Sequence, residues 1–269
     1  MTEHPSSHAD TPARVVLITG GARRIGRALA LGFAAQGWDV AVHFGASRNE
    51  ALAVVGQIEA MGRRAIALHA DLAHEDEVAR LVPACVAQLG SVTCVVNSAS
   101  RFEEDNVHDA SYERLLRLMA INVGAPLTLA RTLYDATPEA ARDDETLRGV
   151  VINVLDQKLY NMNADYLSYT LTKAALQNAT VALAQALAPK VRVAGLAPGL
   201  TLPSAGQSAD SFARAHRIAL LGRTSRPEDI VQAALYLAQA SGVTGATLVV
   251  DGGQHLVPLP RDVMFLTGN

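Results

Sequence analysis

The sequence predicts a doubly wound α/β fold, a single domain in which a seven-stranded parallel sheet is flanked by helices. Two observations carry this prediction. Short segments that are apolar throughout recur along the chain, as in 14–20 (RVVLITG), and strands without alternation are typical of a sheet buried on both faces. Segments with helical spacing separate them, which is the order expected of parallel strands joined by crossover helices.

The elements alternate from residue 14 to residue 253, with glycines Gly37 and Gly62 ending the first two helices. No internal repeat or Pro/Gly-rich linker interrupts them, so we expect one domain over 14–256. The predicted strands are 14–20, 39–44, 65–72, 92–99, 149–156, 191–199 and 247–253, and the predicted helices are 23–37, 49–62, about 74–89, about 111–136, about 164–187 and about 227–239.

The two ends of the chain differ from this pattern. Residues 1–13 are polar and aperiodic, which predicts a disordered tail. Residues 257–269 are apolar for an exposed end, so we expect them to fold onto a neighbouring subunit.

Composition and charge argue against several classes of function, among them nucleic-acid binding and membrane spanning. The chain has 269 residues, 49% of them hydrophobic, and a formal net charge of −3. Without a basic stripe it is not expected to bind nucleic acid. It has neither an apolar run of membrane-span length nor a signal-peptide pattern, so a cytoplasmic location is expected. Cys85 and Cys94 lack metal-ligand spacing and are predicted to be small buried hydrophobic residues; no metal site is predicted.

A glycine-rich turn, Thr19–Gly26 (TGGARRIG), joins the first strand to the first helix. Such a turn lets backbone amides approach a pyrophosphate, and the helix N-terminus adds favourable dipole charge. Arg24 stands where a middle glycine is often found and adds positive charge. A plain strand-to-helix turn is the alternative. The cofactor-binding residues predicted here are Gly20, Arg23, Arg24, Ile25 and Gly26.

The end of the second strand predicts NADPH in preference to NADH. Asp39 has nearly the spacing of an acid that binds the ribose 2′-hydroxyl, but it lies where the strand begins. Ligands gather at the carboxyl ends of such strands, and this end offers His43, Ser47 and Arg48. Together with the two arginines of the glycine turn, these side chains favour an additional phosphate.

Tyr169 and Lys173 are four residues apart on one predicted helix, so they share a face. The ordinary pKa of tyrosine is about 10, and a neighbouring ammonium lowers it toward the range useful for acid–base chemistry. Tyr166 lacks such a partner because Thr170 follows it at the same spacing. A simple surface pair is the alternative.

These motifs together resemble the short-chain dehydrogenase/reductase family, with matches over nearly all of 14–253. The family's Asn-Asn-Ala-Gly stretch is altered here to 97–100 (NSAS), and APG follows the sixth strand. The resemblance implies a Rossmann-type fold and homotetramers. It implies cofactor contacts by Asp71, Leu72, Asn97, Ala99, Ser100, Pro198 and Gly199, a proton-relay water held by Asn122, Tyr169 as general acid, and Lys173 on the nicotinamide ribose.

One departure from the family pattern is informative. Asp156, at the end of the strand in 152–158 (INVLDQK), stands where the family has a serine. An ionised carboxylate would repel the alkoxide that forms when a ketone is reduced. It suits ring N–H groups or a nitrogen that gains a proton, as in pterins. A helix cap or an ion pair with Lys158 is the alternative.

With GARRIG and SASRF, this substitution resembles the pteridine reductase branch of the family. By that resemblance Arg24 reaches toward the pterin, Phe102 stacks on its ring, and Ser100 contacts cofactor and substrate, while Asp156 and Tyr169 act on the substrate. Arg101 beside Phe102 suggests recognition of an acidic substrate tail.

The sequence therefore predicts an NADPH-dependent reductase that acts on a C=N bond of a pterin, dihydropterin or dihydrofolate-like substrate. Asp156, or Tyr169 with Lys173, supplies the proton. Two alternatives stay open: a carbonyl reductase of 3-oxoacyl type, and a non-catalytic nucleotide-binding protein.

Overall fold

The computed structural model describes residues 14–204 and 207–266, so the predicted tail at 1–13 lies outside it. The predicted seven-stranded parallel sheet is confirmed, with the order β3-β2-β1-β4-β5-β6-β7. Strands β1 to β3 are added toward one edge of the sheet, and strands β4 to β7 are added toward the other. The strand order therefore reverses between β1 and β4, and a crevice for ligands forms at such a reversal. The strands are β1 (Val15–Thr19), β2 (Asp39–Phe44), β3 (Ala65–His69), β4 (Val92–Asn97), β5 (Gly149–Val154), β6 (Val191–Pro198) and β7 (Thr247–Val250).

Helices cover both faces of the sheet. Apolar side chains of α1, α2 and α9 form a core on one face, and those of α4, α6 and α7 form a core on the other. In the described chain the helices are α1 (Arg24–Ala35), α2 (Arg48–Ala60), α3 (Glu75–Ala79), α4 (Leu81–Leu89), α5 (Tyr112–Met119), α6 (Ala125–Ala136), α7 (Leu167–Leu187), α8 (Ala209–His216), α9 (Pro227–Gln239) and α10 (Val263–Leu266).

Three helices differ from the sequence prediction. The helix predicted over 74–89 is divided at Arg80, because Pro83 has no N–H to donate to residue 79. The helix predicted over 111–136 contains a π-helical turn, Ala120–Gly124. The helix predicted from 164 begins at Leu167, since Tyr166 has a left-handed backbone with φ of 55°. Helices α8 and α10 are additions to the prediction.

Both cysteines are buried in the apolar core, as the sequence predicts. Burial raises the pKa of Cys85 to about 12, so its thiol stays protonated at neutral pH. Within 14–204 and 207–266, no helix is long and apolar enough to cross a membrane. The same residues contain no group of three or more His, Cys, Asp or Glu side chains that could hold a metal.

Candidate active site

A cavity of about 780 Å³ opens at the carboxyl ends of β1, β4, β5 and β6, which is the usual position for ligands in this architecture. The sequence motifs that predict cofactor and substrate binding meet here. The cavity wall contains these predicted site residues: Gly20, Arg23, Arg24, Ile25, Gly26, Ala99, Ser100, Phe102, Asp156, Tyr169, Lys173, Pro198 and Gly199.

The glycine turn leaves no space for side chains at its glycines. A Cβ on Gly26 would lie 2.1 Å from the carbonyl oxygen of Gly20, and a Cβ on Gly20 would lie 3.1 Å from the Cα of Ala99. Arg24 keeps the left-handed backbone of a glycine position, with φ of 51°, at a cost of about 1–2 kcal/mol. The turn therefore presents backbone to the cavity, as a pyrophosphate site requires.

The two arginines of this turn have different partners. Arg23 forms an ion pair with Glu50 in the first turn of α2. The Arg24 guanidinium donates to the carbonyl oxygens of Pro203 at 2.9 Å and Leu202 at 3.5 Å. Arg24 thus links the glycine turn to the segment after β6.

His43 supports the glycine turn from behind. Its Nδ1 accepts a hydrogen bond from the Gly20 N–H at 3.1 Å, and its Nε2 is 3.1 Å from the Ala70 carbonyl oxygen. Burial lowers the pKa of His43 to about 4, so the ring is neutral. Both ring nitrogens contact the protein, so His43 positions the turn, and its predicted contact with the cofactor stays a prediction.

Other predicted cofactor residues lie off the cavity wall. Asn97 is buried and donates to Asn153 at 2.8 Å across β4 and β5. Ser47 immediately precedes α2, and Asp71 and Leu72 follow β3. Asp39, rejected above as the ribose acid, is buried where β2 begins and forms ion pairs with Arg63 and Arg64 at 2.6 and 2.7 Å.

Asp156 contacts Tyr169, another residue predicted to be catalytic. The Tyr169 hydroxyl donates to its Oδ2 at 2.8 Å, and the Lys158 backbone N–H donates to its Oδ1 at 2.8 Å. The second contact caps a short 3-10 helix, Gln157–Tyr160, as the cap alternative expects. The first contact joins Asp156 to Tyr169, and the catalytic role of Asp156 stays a prediction. The Lys158 ammonium instead donates to the Asp165 carbonyl oxygen at 2.5 Å.

Burial and charge determine how these groups hold protons. Burial raises the pKa of Asp156. Burial, followed by the charge of Asp156, raises the pKa of Tyr169 well above its ordinary value. Burial lowers the pKa of Lys173 to about 8. The prediction that Lys173 lowers the pKa of Tyr169 is therefore wrong for this structure.

The reason is geometric. The Lys173 ammonium donates to the Val154 carbonyl oxygen at 2.7 Å and lies 5.7 Å from the centre of the Tyr169 ring. The carboxylate of Asp156 contacts the Tyr169 hydroxyl directly, and an anion in contact opposes formation of a phenolate. Tyr169 is held as a phenol.

Asn122, in the π-helical turn, connects two parts of the site. Its Oδ1 accepts from the Arg101 backbone N–H at 2.8 Å. Its Nδ2 donates to the Arg101 carbonyl oxygen at 3.0 Å and to the Thr172 hydroxyl at 2.9 Å. The side chain therefore fixes the loop after β4 against α7, and its predicted contact with a relay water stays a prediction.

Aromatic rings line the end of the cavity that is predicted to bind the substrate, which we call the substrate end. Phe102 is 50% exposed; it stacks on Tyr166 at 4.3 Å between ring centres and meets the Tyr169 ring edge-on at 4.7 Å. Tyr166 also stacks on Phe265 at 5.9 Å. Sequence reasoning missed Tyr166, Glu104 and Met264 as cavity residues, because no local pattern signals a left-handed tyrosine or a contact made from the C-terminus.

The C-terminal segment returns to this cavity in its own chain. Arg261 Nε donates to the Asp165 carboxylate at 2.8 and 2.9 Å, and the Asp262 backbone N–H donates to the same group at 2.7 Å. Met264 then lies on the cavity wall. The described part of the tail thus contacts its own chain, and its predicted contact with a neighbouring subunit stays a prediction.

Comparisons with known proteins agree with this geometry. A family model described as Enoyl-(Acyl carrier protein) reductase matches residues 20–255. The crystal structure of FolM Alternative dihydrofolate reductase 1 from Brucella canis, solved with NADP, superimposes with a TM-score of 0.83 at 37% identity, covering 90% of this chain and 94% of that one.

Two curated relatives match over similar lengths. An uncharacterized oxidoreductase of Mycobacterium tuberculosis (strain CDC 1551 / Oshkosh) is 37% identical, with 89% of this chain and 91% of the relative covered. The dihydromonapterin reductase of Enterobacter sp. (strain 638) is 29% identical, with 92% and 99% covered. The glycine turn, the Tyr169–Lys173 pair and the family match over 20–255 lead to one conclusion: the chain belongs to the short-chain dehydrogenase/reductase family.

Proposed function

We propose that this protein is an NADPH-dependent reductase that reduces a C=N bond of a pterin or dihydropterin. The observation that carries the proposal is the direct hydrogen bond between Asp156 and Tyr169 on the cavity wall. A carboxylate there disfavours a ketone, whose oxygen becomes negatively charged, and favours a ring nitrogen that gains a proton. The likeness to a dihydromonapterin reductase and to a FolM dihydrofolate reductase supports this substrate class.

The residues present fit a dinucleotide. At Gly26 the glycine turn has room only for backbone, and the arginines of the turn bring positive charge beside a phosphate site. We propose that Arg23 and Arg24 exchange their present partners for phosphates, that Pro198 and Gly199 lie against the nicotinamide, and that Lys173 holds the ribose. The NADP in the Brucella canis structure supports the choice of cofactor.

In this proposal, bound NADPH supplies a hydride, so the carbon of the C=N bond receives both electrons. The nitrogen receives a proton, and the product is a CH–NH group. Because its pKa is raised, Asp156 can hold that proton nearer to neutral pH than an exposed aspartate can. Tyr169, held as a phenol, donates the hydrogen bond that orients the carboxyl group, and the carboxylate regains its proton from solvent. Phe102 offers its exposed side to the flat substrate ring.

A carbonyl reductase of 3-oxoacyl thioesters is the second candidate, because the chain is also similar, at 28% identity, to a 3-oxoacyl-[acyl-carrier-protein] reductase of Staphylococcus aureus (strain Mu50 / ATCC 700699). Parallel assays of NADPH oxidation with biopterin, dihydrobiopterin, dihydrofolate and a 3-oxoacyl thioester separate the two. We expect turnover of one or more of the pterins or the folate. Turnover of the thioester alone would overturn the proposal.

Asp156→Ser tests the carboxylate directly. We expect pterin turnover to fall by about 100-fold, the usual contribution of a positioned proton donor, while NADPH binding changes less than about two-fold. Asp144→Ser is a matched control, because Asp144 also caps a 3-10 helix by accepting from the residue two positions later. Unchanged pterin kinetics in Asp156→Ser would show that the carboxylate is only a cap.

A further inference from the structure

The charges on the cavity wall are divided between its two ends. Arg23 and Arg24 lie at the glycine turn, and the Lys173 ammonium is bonded to a backbone carbonyl. At the substrate end the charged side chains on the wall are acids, Glu104 and Asp156. Glu104 is exposed, and among the described residues no ion pair neutralises it.

The arginines around this end are already paired with acids. Arg101 Nε donates to Glu103 at 2.7 Å, and Arg117 donates to the same carboxylate at 2.9 Å. The Arg261 guanidinium is bound to Asp165. Arg101 is also absent from the cavity wall, so the suggestion that it recognises an acidic substrate tail has no support in this geometry.

The pKa of Tyr166, which also lines this end of the cavity, is raised by burial and by nearby acids. Burial, and after it the charges of Asp262, Glu104 and Asp165, raise the pKa of Tyr166 to about 12. Tyr166 stacks on Phe102, the ring proposed to contact the substrate. Asp165 and Asp262 are paired with Arg261 and Lys158. An anion bound beside these rings would therefore meet the charge of Glu104, which is unpaired within the described residues.

We propose that Glu104 is a specificity-determining residue, which selects dihydropterins with an uncharged side chain over dihydrofolate. This inference rests on the proposed function. The folate tail ends in a glutamate with two carboxylates, which Glu104 repels. A side chain that carries hydroxyl groups can instead donate hydrogen bonds to the Glu104 carboxylate. The same field disfavours thioesters that carry phosphates.

The test compares kcat/KM for dihydrofolate and dihydrobiopterin at saturating NADPH, in the wild type and in Glu104→Gln. Removing one exposed like charge is expected to raise the dihydrofolate-to-dihydrobiopterin ratio by about three- to ten-fold, and Glu104→Lys is expected to raise it further. Glu113→Gln is the matched control: it removes the same charge from an exposed position outside the cavity wall, and its ratio should equal that of the wild type.

Ionic strength gives an independent test of the repulsion between Glu104 and the folate carboxylates. Raising ionic strength to about 0.5 M should increase the ratio in the wild type, because screening weakens the repulsion, and should leave the ratio of Glu104→Gln nearly unchanged. If the wild type reduces neither of these substrates nor biopterin, the proposed function fails. If dihydrobiopterin is reduced while Glu104→Gln and Glu113→Gln give the same ratio, only the role of Glu104 is overturned.

Discussion

The cofactor end and the substrate end of the cavity are constructed in different ways. The cofactor end is built around the turn from Gly20 to Gly26, a single stretch of sequence at the end of β1, and is completed by the ends of other strands. The substrate end assembles Phe102, Asp156, Tyr166 and Met264 from widely separated parts of the chain. Variation at the substrate end can therefore change specificity while the dinucleotide site stays intact, which is how one fold supports many reactions.

The largest expected effect is at the cofactor end. In Gly26→Ala, the new Cβ would lie 2.1 Å from the Gly20 carbonyl oxygen, so the turn must move. We expect NADPH affinity to fall by about 100-fold and the free energy of unfolding to fall by about 2–4 kcal/mol. Fluorescence titration with NADPH and urea denaturation measure the two changes.

Gly56→Ala is the control for Gly26→Ala. Gly56 lies within α2, where an added Cβ meets no atom within 4 Å. Alanine there should stabilise the protein by about 0.5–1 kcal/mol and leave NADPH binding unchanged. Equal NADPH affinities in the two variants would show that the tight turn is not the determinant of dinucleotide binding.

The same contrast explains how much could be predicted from sequence. Apolar strands, the glycine turn and the spacing of Tyr169 and Lys173 are local patterns, so they locate the fold and the cofactor end. The contact between Asp165 and Arg261 joins residues 96 positions apart. Tyr166 adopts a left-handed backbone although it is neither a glycine nor an asparagine, the residues that usually signal this conformation. The direction of the Tyr169 pKa depends on Asp156, which spacing along one helix cannot reveal.

The buried ammonium of Lys173 makes stability depend on pH. Its pKa is about 8 in the folded protein and about 10.4 in an unfolded chain. Between these values the unfolded state binds more protons, so the free energy of unfolding rises with pH. Below pH 8 the penalty is fully present, at about 3 kcal/mol.

Lys173→Met lacks this charge. The stability difference, variant minus wild type, should therefore decrease by about 3 kcal/mol as pH rises from about 7 to about 10.5. The loss of the hydrogen bond to the Val154 carbonyl oxygen adds an offset that does not vary with pH. Urea denaturation across this range measures the difference, and a constant value would contradict a lowered pKa for Lys173.

The smallest expected effect is at the far side of the substrate end. Arg261→Ala removes the guanidinium that binds Asp165 and lies 4.8 Å from the Phe265 ring, so the segment carrying Met264 loses an anchor. The Arg261 side chain is 54% exposed, so the cost in stability should stay below about 1 kcal/mol. Met264 should then be held less firmly on the cavity wall. KM for the pterin should rise by about three-fold, and the affinity for NADPH should not change. Arg142→Ala is the control, because it removes a comparably exposed ion pair with Glu139. It should change neither KM for the pterin nor the affinity for NADPH. A rise in KM equal to that of Arg261→Ala would mean that the C-terminal contact does not shape the substrate end.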